Sequence, residues 1–450
     1  MFKRTAILVS CLGVSVCWLG CSTTTLIAPG EVSRSSRDAE KLQRSKASFD
    51  AALLKLVQHD RQGDWSTRSC RELSEQFLEV NVDRRRAGAK PAPAAAYNAG
   101  LSLQRCGLHR QAQEQFTRAV SLDAGFHPAR AQLVLYRYRA DHHLDRAIRE
   151  LETIIHVAKF QNVEALVSLA ALQMERGRAD DPETRRRDLE DAQKNLQRAL
   201  AIDDGYMPAY NQLAIFYLER ARALAASGTL APARTRHLVV ASAHHTRANQ
   251  QQLDLAALVA SQAIHKNPKY APIHNTAGLI QVELGDFNGA VTHFRTARRL
   301  DSKFVEAHFN YAAVNLSFRG FEEAMHAYRD VVRLRPKSYE AHLGLALALR
   351  GQIRGTEDSA LVQQAQHHLD RAKQIAPNRP EAYYNEAILT QEFKAKSSEE
   401  QAKPMLRRAL SLYGEFIARA GDQKRFSDAI QRSKERQEDI RQMLAFLDGS

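Results

Sequence analysis

Apolar and small residues recur along this chain at helical spacing, in blocks that repeat about every 34 positions. The clearest copies are GDFNGAVTHFRTARRLDS around Ala290 and GFEEAMHAYRDVVRLRP around Ala324, 34 residues apart. Aligning on the same small residue adds Ala112, Ala147, Ala192, Ala256, Ala365 and Ala402, each followed four residues later by Phe116, Leu151, Leu196, Ala260, Leu369 or Leu406. Positions four apart share one helix face, so each pair marks the buried side of a helix. A second small residue follows at Ala119, Ala199, Ala263, Ala297, Ala372 and Ala409. Pro268, Pro336 and Pro377 close three units at one offset, where the missing N–H ends the helix. A leading helix precedes each marked helix and carries Gly100, Ala170, Ala214, Gly278, Ala312, Ala346 or Ala387 where two helix axes pass closely and a larger side chain has no room. The pattern predicts an all-α array of about eight helical hairpins over residues 93–422.

These small-x3-aromatic helices, their leading helices and the terminal prolines resemble the tetratricopeptide repeat (TPR) family. The resemblance implies a superhelical solenoid in which stacking buries the apolar face that a lone hairpin leaves wet. It implies a protein-binding groove and leaves the partner unspecified. The period is exceeded at three places. Ala147 to Ala192 is 45 residues, Ala192 to Ala256 is 64 and Ala324 to Ala365 is 41. The charged stretch 178–188 and the Ala/Ser/His-rich stretch 225–252 are therefore insertions, expected to be extended helices, solvated loops or partner contacts.

Two segments flank the array. Residues 39–92 carry the amphipathic runs Ala51-Leu54-Val57 and Leu73-Phe77-Val80, read as a degenerate hairpin capping the array. Residues 423–450 place Phe426, Ile430, Ile440, Leu444 and Leu447 on one face of a long closing helix with a polar back.

The N-terminus carries an address. Lys3 and Arg4 precede a 15-residue apolar stretch, Thr5 to Leu19, which is short for a bilayer span and shaped like a secretion signal. The ending Leu19-Gly20-Cys21 resembles the lipobox of bacterial lipoproteins, although Trp18 departs from the usual leucine. That resemblance implies a signal peptide over 1–20, lipidation of Cys21, a Ser/Thr-rich flexible tether over 21–38, and an outer-membrane anchor facing the periplasm. Removing 1–20 lowers the formal charge from +13 to +11, because only Lys3 and Arg4 are lost. An exported basic protein without aromatic-basic interleaving points away from nucleic acid and toward acidic envelope polymers, anionic lipid or acidic protein. Cys70 and Cys106 would then sit in an oxidising compartment, either as a disulfide or as two buried free thiols.

Candidate chemistry is sparse. No GxxxxGK, GxSxG, HExxH or CxxC motif occurs, so no enzyme activity, cofactor, metal or small-molecule substrate is expected. His274, His308 and His342 recur every 34 residues where the family often has tryptophan, and the expected role is packing with one nitrogen in water. Asn211 and Asn275 fall at equivalent inward positions of leading helices, where their amides would clamp a peptide backbone or solvate the groove. Arg319 and Arg350 lie near leading-helix ends, suited to an anion contact or to the helix C-terminal dipole. The whole layout resembles the TPR lipoproteins of myxobacterial adventurous gliding motility, which implies one component of a trans-envelope protein complex. Assistance to secretin or pilus assembly and activation of cell-wall synthesis are the alternative roles.

Overall fold

A computed structural model describes residues 29–62, 64–177, 181–226, 247–355, 358–396 and 399–449. The signal peptide, Cys21, the tether up to residue 28 and most of the 225–252 insertion lie outside the described residues. Every described regular element is helical. In chain order they are α1 (Pro29–Gln62), α2 (Thr67–Arg86), α3 (Pro93–Arg105), α4 (His109–Leu122), α5 (His127–Asp141), α6 (Leu144–Val157), α7 (Val163–Arg176), α8 (Pro182–Ile202), α9 (Met207–Ala226) and α10 (Arg247–Lys266). Then follow α11 (Ala271–Glu283), α12 (Phe287–Leu300), α13 (Val305–Ser317), α14 (Phe321–Leu334), α15 (Tyr339–Gln352), α16 (Ser359–Ile375), α17 (Glu381–Glu392), α18 (Glu399–Ala420) and α19 (Ser427–Gly449). The segment expected as tether is helical from Pro29 onward.

The chain forms two compact units: Met1–Leu218 with Leu255–Ile273, and Glu219–Asp254 with His274–Ser450. In each, the marked small residues do what their spacing predicts. Ala112, Ala192, Ala256, Ala290, Ala324 and Ala365 are fully buried, and Ala147 nearly so. Ala402 departs from the pattern and is only half-buried. It lies in the first turn of α18, after the 3-10 turn Lys394–Lys396. At the leading-helix crossings a Cβ added to Gly100 would lie 2.7 Å from the Phe116 ring, and one added to Gly278 would lie 2.5 Å from Phe294. The aromatic of each such helix therefore lies directly on the glycine of its partner.

The turns between hairpins are built on two recurring ties. Asp123, Asp203, Asn267 and Asp301, each eleven residues past the marked alanine, accept from the backbone N–H two residues on, forming Asx turns. Then the leading helix reaches back. His308 Nε2–H donates to the Ser302 carbonyl at 3.0 Å, His342 Nε2–H to Pro336 at 3.1 Å, and Tyr383 Oη–H to Pro377 at 2.9 Å, each six residues upstream. The other nitrogens are engaged too, since His308 Nδ1 accepts from Arg298 Nε at 2.9 Å and His342 Nδ1 lies 2.9 Å from His368 Nδ1. Neither imidazole keeps a nitrogen for water, which corrects the expectation for these two.

The N-terminal cap forms, with its buried face displaced by one position. Leu54 is 69% exposed, while Phe49, Ala52, Leu53 and Leu56 are buried, an i, i+3, i+4, i+7 set that fits an α-helical stripe better than Ala51-Leu54-Val57. On α2, Leu73, Phe77 and Val80 are buried as expected. Cys70 and Cys106 are joined by a disulfide that links α2 to the end of α3. The 178–188 stretch is largely the start of α8. Asp188, whose side chain is 2% exposed, takes a bidentate pair from Arg176 at 2.7 and 2.8 Å, so this insertion is anchored to α7. Phe426, at the end of the 3-10 turn Lys424–Phe426, and Ile430, Ile440, Leu444 and Leu447 on α19 pack on one cluster with Leu412, Tyr413 and Phe416.

Candidate functional site

The leading helices carry linked polar side chains, and these form the candidate sites. In the first unit Gln104 on α3 donates to Gln132 on α5 at 3.2 Å, and Gln132 donates to Glu164 on α7 at 3.1 Å. The Tyr97 hydroxyl donates to the same Glu164 carboxylate. Beside them Arg105 holds Asp60 through two bonds of 2.8 and 3.1 Å, and Trp65 Nε1 donates to Asp60 at 3.0 Å. Four successive leading helices, α1, α3, α5 and α7, are thus joined by side chains alone.

These groups lie within reach of one another's charges. The Asp60 charge raises the Arg105 pKa above its ordinary value, against the opposing effect of burial. Burial, then the Glu164 charge, pushes the Tyr206 phenol well up, with Arg105 opposing. Tyr270 is pushed up to about 12, by burial first and then by Asp60, again opposed by Arg105. Tyr206 and Tyr270 come from the turns before α9 and α11, and both feel the charges on α1 and α3, Tyr206 that on α7 as well. Arg105 and Asp60 keep 35% and 33% of their side-chain surface in water, and a ligand can reach them.

In the second unit, Asn310 on α13 donates to Asn275 on α11 at 2.9 Å, and both are buried. Arg350 on α15 donates to Asn385 on α17 at 2.9 Å, with its pKa lowered by burial. Arg436 on α19 donates to Gln391 and Glu392 at 3.0 and 2.7 Å, while the Tyr413 hydroxyl donates to Gln391 at 2.8 Å.

The expected groove residues divide accordingly. Asn275, 8% exposed, spends its oxygen on the neighbouring repeat, which corrects its reading as a free backbone clamp. Asn211 is half-buried on α9 and belongs to the other unit. Arg350 is an inter-repeat donor. Arg319 lies in the turn between α13 and α14 with φ at 63°, where the equivalent turns use Gly107 and Gly285, so it is a turn residue and not part of the inward row. Residues missed by the sequence reading include Gln104, Arg105, Gln132 and Glu164. Their only signal is that they are long polar residues on successive leading helices, since 28 residues separate Gln104 from Gln132 and 32 separate Gln132 from Glu164, neither of them the repeat length. Among the described residues no group of three or more His, Cys, Asp or Glu side chains is arranged to hold a metal.

Antiparallel hairpins with small crossings, ring-on-glycine packing and linked leading helices define a helical-repeat protein with the TPR fold. No family model matches the chain, and no curated protein does. Among solved structures it is similar to TTC0263, a thermophilic TPR protein of Thermus thermophilus, at 24% identity over 50% of this chain and 99% of that one, TM-score 0.39. A TPR protein of Parabacteroides merdae matches at 13% identity over 66% and 95%, TM-score 0.37. Pseudomonas aeruginosa pilF matches at 16% identity over 56% and 94%, TM-score 0.37. The fold assignment rests on the hairpins of this chain and not on these scores.

Proposed function

We propose that this protein is a non-enzymatic scaffold that holds an extended or helical segment of a partner protein against its leading helices. The observation that carries the reading is the polar row Gln104, Gln132 and Glu164 with the water-accessible Asp60–Arg105 pair beside it. The linked amides hold the helical wall rigid, and the cation–anion pair beside them offers a donor and an acceptor to a partner's backbone and to side chains of either sign. A photo-crosslinking residue at Gln104 or Tyr206 should trap a partner in cells, whereas one at Arg110, 94% exposed on the second helix of its hairpin, should not. Trapping at Arg110 alone would refute the groove.

The finer reading is a lipid-anchored component of a trans-envelope machine, in the manner of gliding-motility lipoproteins. Its support is the basic and apolar N-terminus ending in Gly20-Cys21. Cys21→Ser should abolish fatty-acid labelling and mislocalise the protein. Deletion of the gene should abolish pilus-independent single-cell movement and spare pilus-driven group movement. Loss of pilus-driven movement instead would assign it to pilus assembly.

A further inference from the structure

The wedge between α1, the C-terminal half of α2 and the residue that caps α3 encloses a hollow of about 460 Å³, within the range of small-molecule sites. Leu42, Phe49, Val80 and Ala92 give it apolar walls. Its inner polar lining is committed, and the Gln43 amide stands at the exposed edge. Ser45 Oγ donates to the Val80 carbonyl at 3.2 Å, and the backbone of Ala92 is bonded in both directions by the Asn81 side chain, at 2.6 and 3.1 Å. The walls of α1 and α2 are helical, so their N–H and C=O groups are used within the helices. Two cations remain. Arg84 gives its Nε to the Lys90 carbonyl at 2.8 Å, and neither Arg84 nor Lys46 has a carboxylate partner among the described residues.

A peptide lying along Leu42, Phe49, Val80 and Ala92 would bury backbone N–H groups where the wall carbonyls are already hydrogen-bonded, at a cost in free energy. An alkyl chain has no such groups, and an anionic head would answer the two cations. We propose that this hollow binds a long-chain fatty acid, with the alkyl chain along Leu42, Phe49, Val80 and Ala92 and the carboxylate at Lys46 and Arg84. The site is separate from the leading-helix row and stands or falls independently of the scaffold reading.

The test is a fluorescence titration of the full chain with cis-parinaric acid, followed by displacement. Saturable one-site binding is expected, displaced by laurate and not by dodecyltrimethylammonium, which has the same chain and the opposite charge. Lys46→Glu, at an exposed position, should weaken binding by about tenfold through loss of one charge-assisted contact. Ala39→Trp, which fills the exposed edge, should abolish it with the thermal midpoint unchanged. No saturable binding, equal displacement by both amphiphiles, or indifference to Lys46→Glu would overturn the proposal. So would displacement by an acidic amphipathic peptide where laurate fails.

Discussion

Replacing Gly278 by alanine tests the ring-on-glycine packing most directly. The added Cβ would stand 2.5, 2.7 and 2.8 Å from three carbons of the Phe294 ring, where carbon contacts settle at about 3.5–4.0 Å. Phe294 is fully buried and has no space to withdraw into, so the helices must separate or the ring must leave its rotamer. Overpacking of this kind costs about 1–3 kcal/mol, offset by the helix preference of alanine over glycine, about 0.8–1 kcal/mol. Gly414, in the same unit, is the internal control, because a Cβ there meets only the Gln437 side chain at an ordinary 3.7 Å. Gly414→Ala should stabilise by about 0.5–1 kcal/mol, so the two Gly→Ala changes should differ by about 2 kcal/mol. In urea that separates the transition midpoints of the unit by about 1 M. Adding Phe294→Leu to Gly278→Ala should recover much of the loss, since it recreates the alanine–leucine pairing of Ala346 with Leu369 and of Ala387 with Leu406. Equal stabilisation by both Gly→Ala changes would show that Phe294 does not press on Gly278.

Three further outcomes follow from groups described above. Asp188→Ala strips a buried carboxylate from Arg176 and should destabilise the first unit by on the order of 3 kcal/mol, read from its urea midpoint. Reducing Cys70–Cys106, 36 residues apart, should cost about 4 kcal/mol on the chain-entropy account, and a Cys70→Ser/Cys106→Ser variant should lose its response to reductant. Burial lowers the pKa of His293, His308 and His342, and that of His368 to about 4, so the unfolded chain binds more protons below about pH 6.5. The second unit should therefore lose stability progressively as pH falls from about 6.5 toward 4 and be nearly flat above 7, and His368→Gln should reduce that slope.

The repeat was legible because it depends on residue size at fixed spacing, and size is written in the residue names. Ala290, Phe294 and Ala297 disclose a buried helix face with no knowledge of their neighbours. On α1 the three-residue spacing of Ala51, Leu54 and Val57 passes for a helical face, but the i, i+3, i+4, i+7 set with Phe49, which packs on Phe77, is the better helical stripe and is the one buried. The inward row was missed for another reason. Asn275 announces an amide, but whether it faces a ligand or Asn310 depends on the distance between helices, which no single repeat encodes. Of the expectations for 178–188, an extended helix, a solvated loop or a partner contact, the described part is a helix extension, and Asp188 is turned inward by one arginine on α7 although charges usually face water.

The ties across the turns between hairpins divide the chain into lengths that are held and lengths that are free. From the marked alanine to the next leading-helix crossing the count is 22 residues for Ala192 to Ala214, Ala256 to Gly278, Ala290 to Ala312, Ala324 to Ala346 and Ala365 to Ala387, and 23 for Ala147 to Ala170. From a crossing to the alanine of its own hairpin the count runs from 12, Gly278 to Ala290, up to 42, Ala214 to Ala256. An Asx turn and an imidazole or phenol reaching back six residues measure out most of the first intervals, whereas among the described residues the tips vary in length and show an Asx turn at Asp141. The differences in length between repeats therefore lie mainly at the hairpin tips. A foreign segment spliced after Gly285 or Gly320 should be carried as an appendage, whereas one residue added between Asp301 and His308 would break the reach of His308 back to the Ser302 carbonyl.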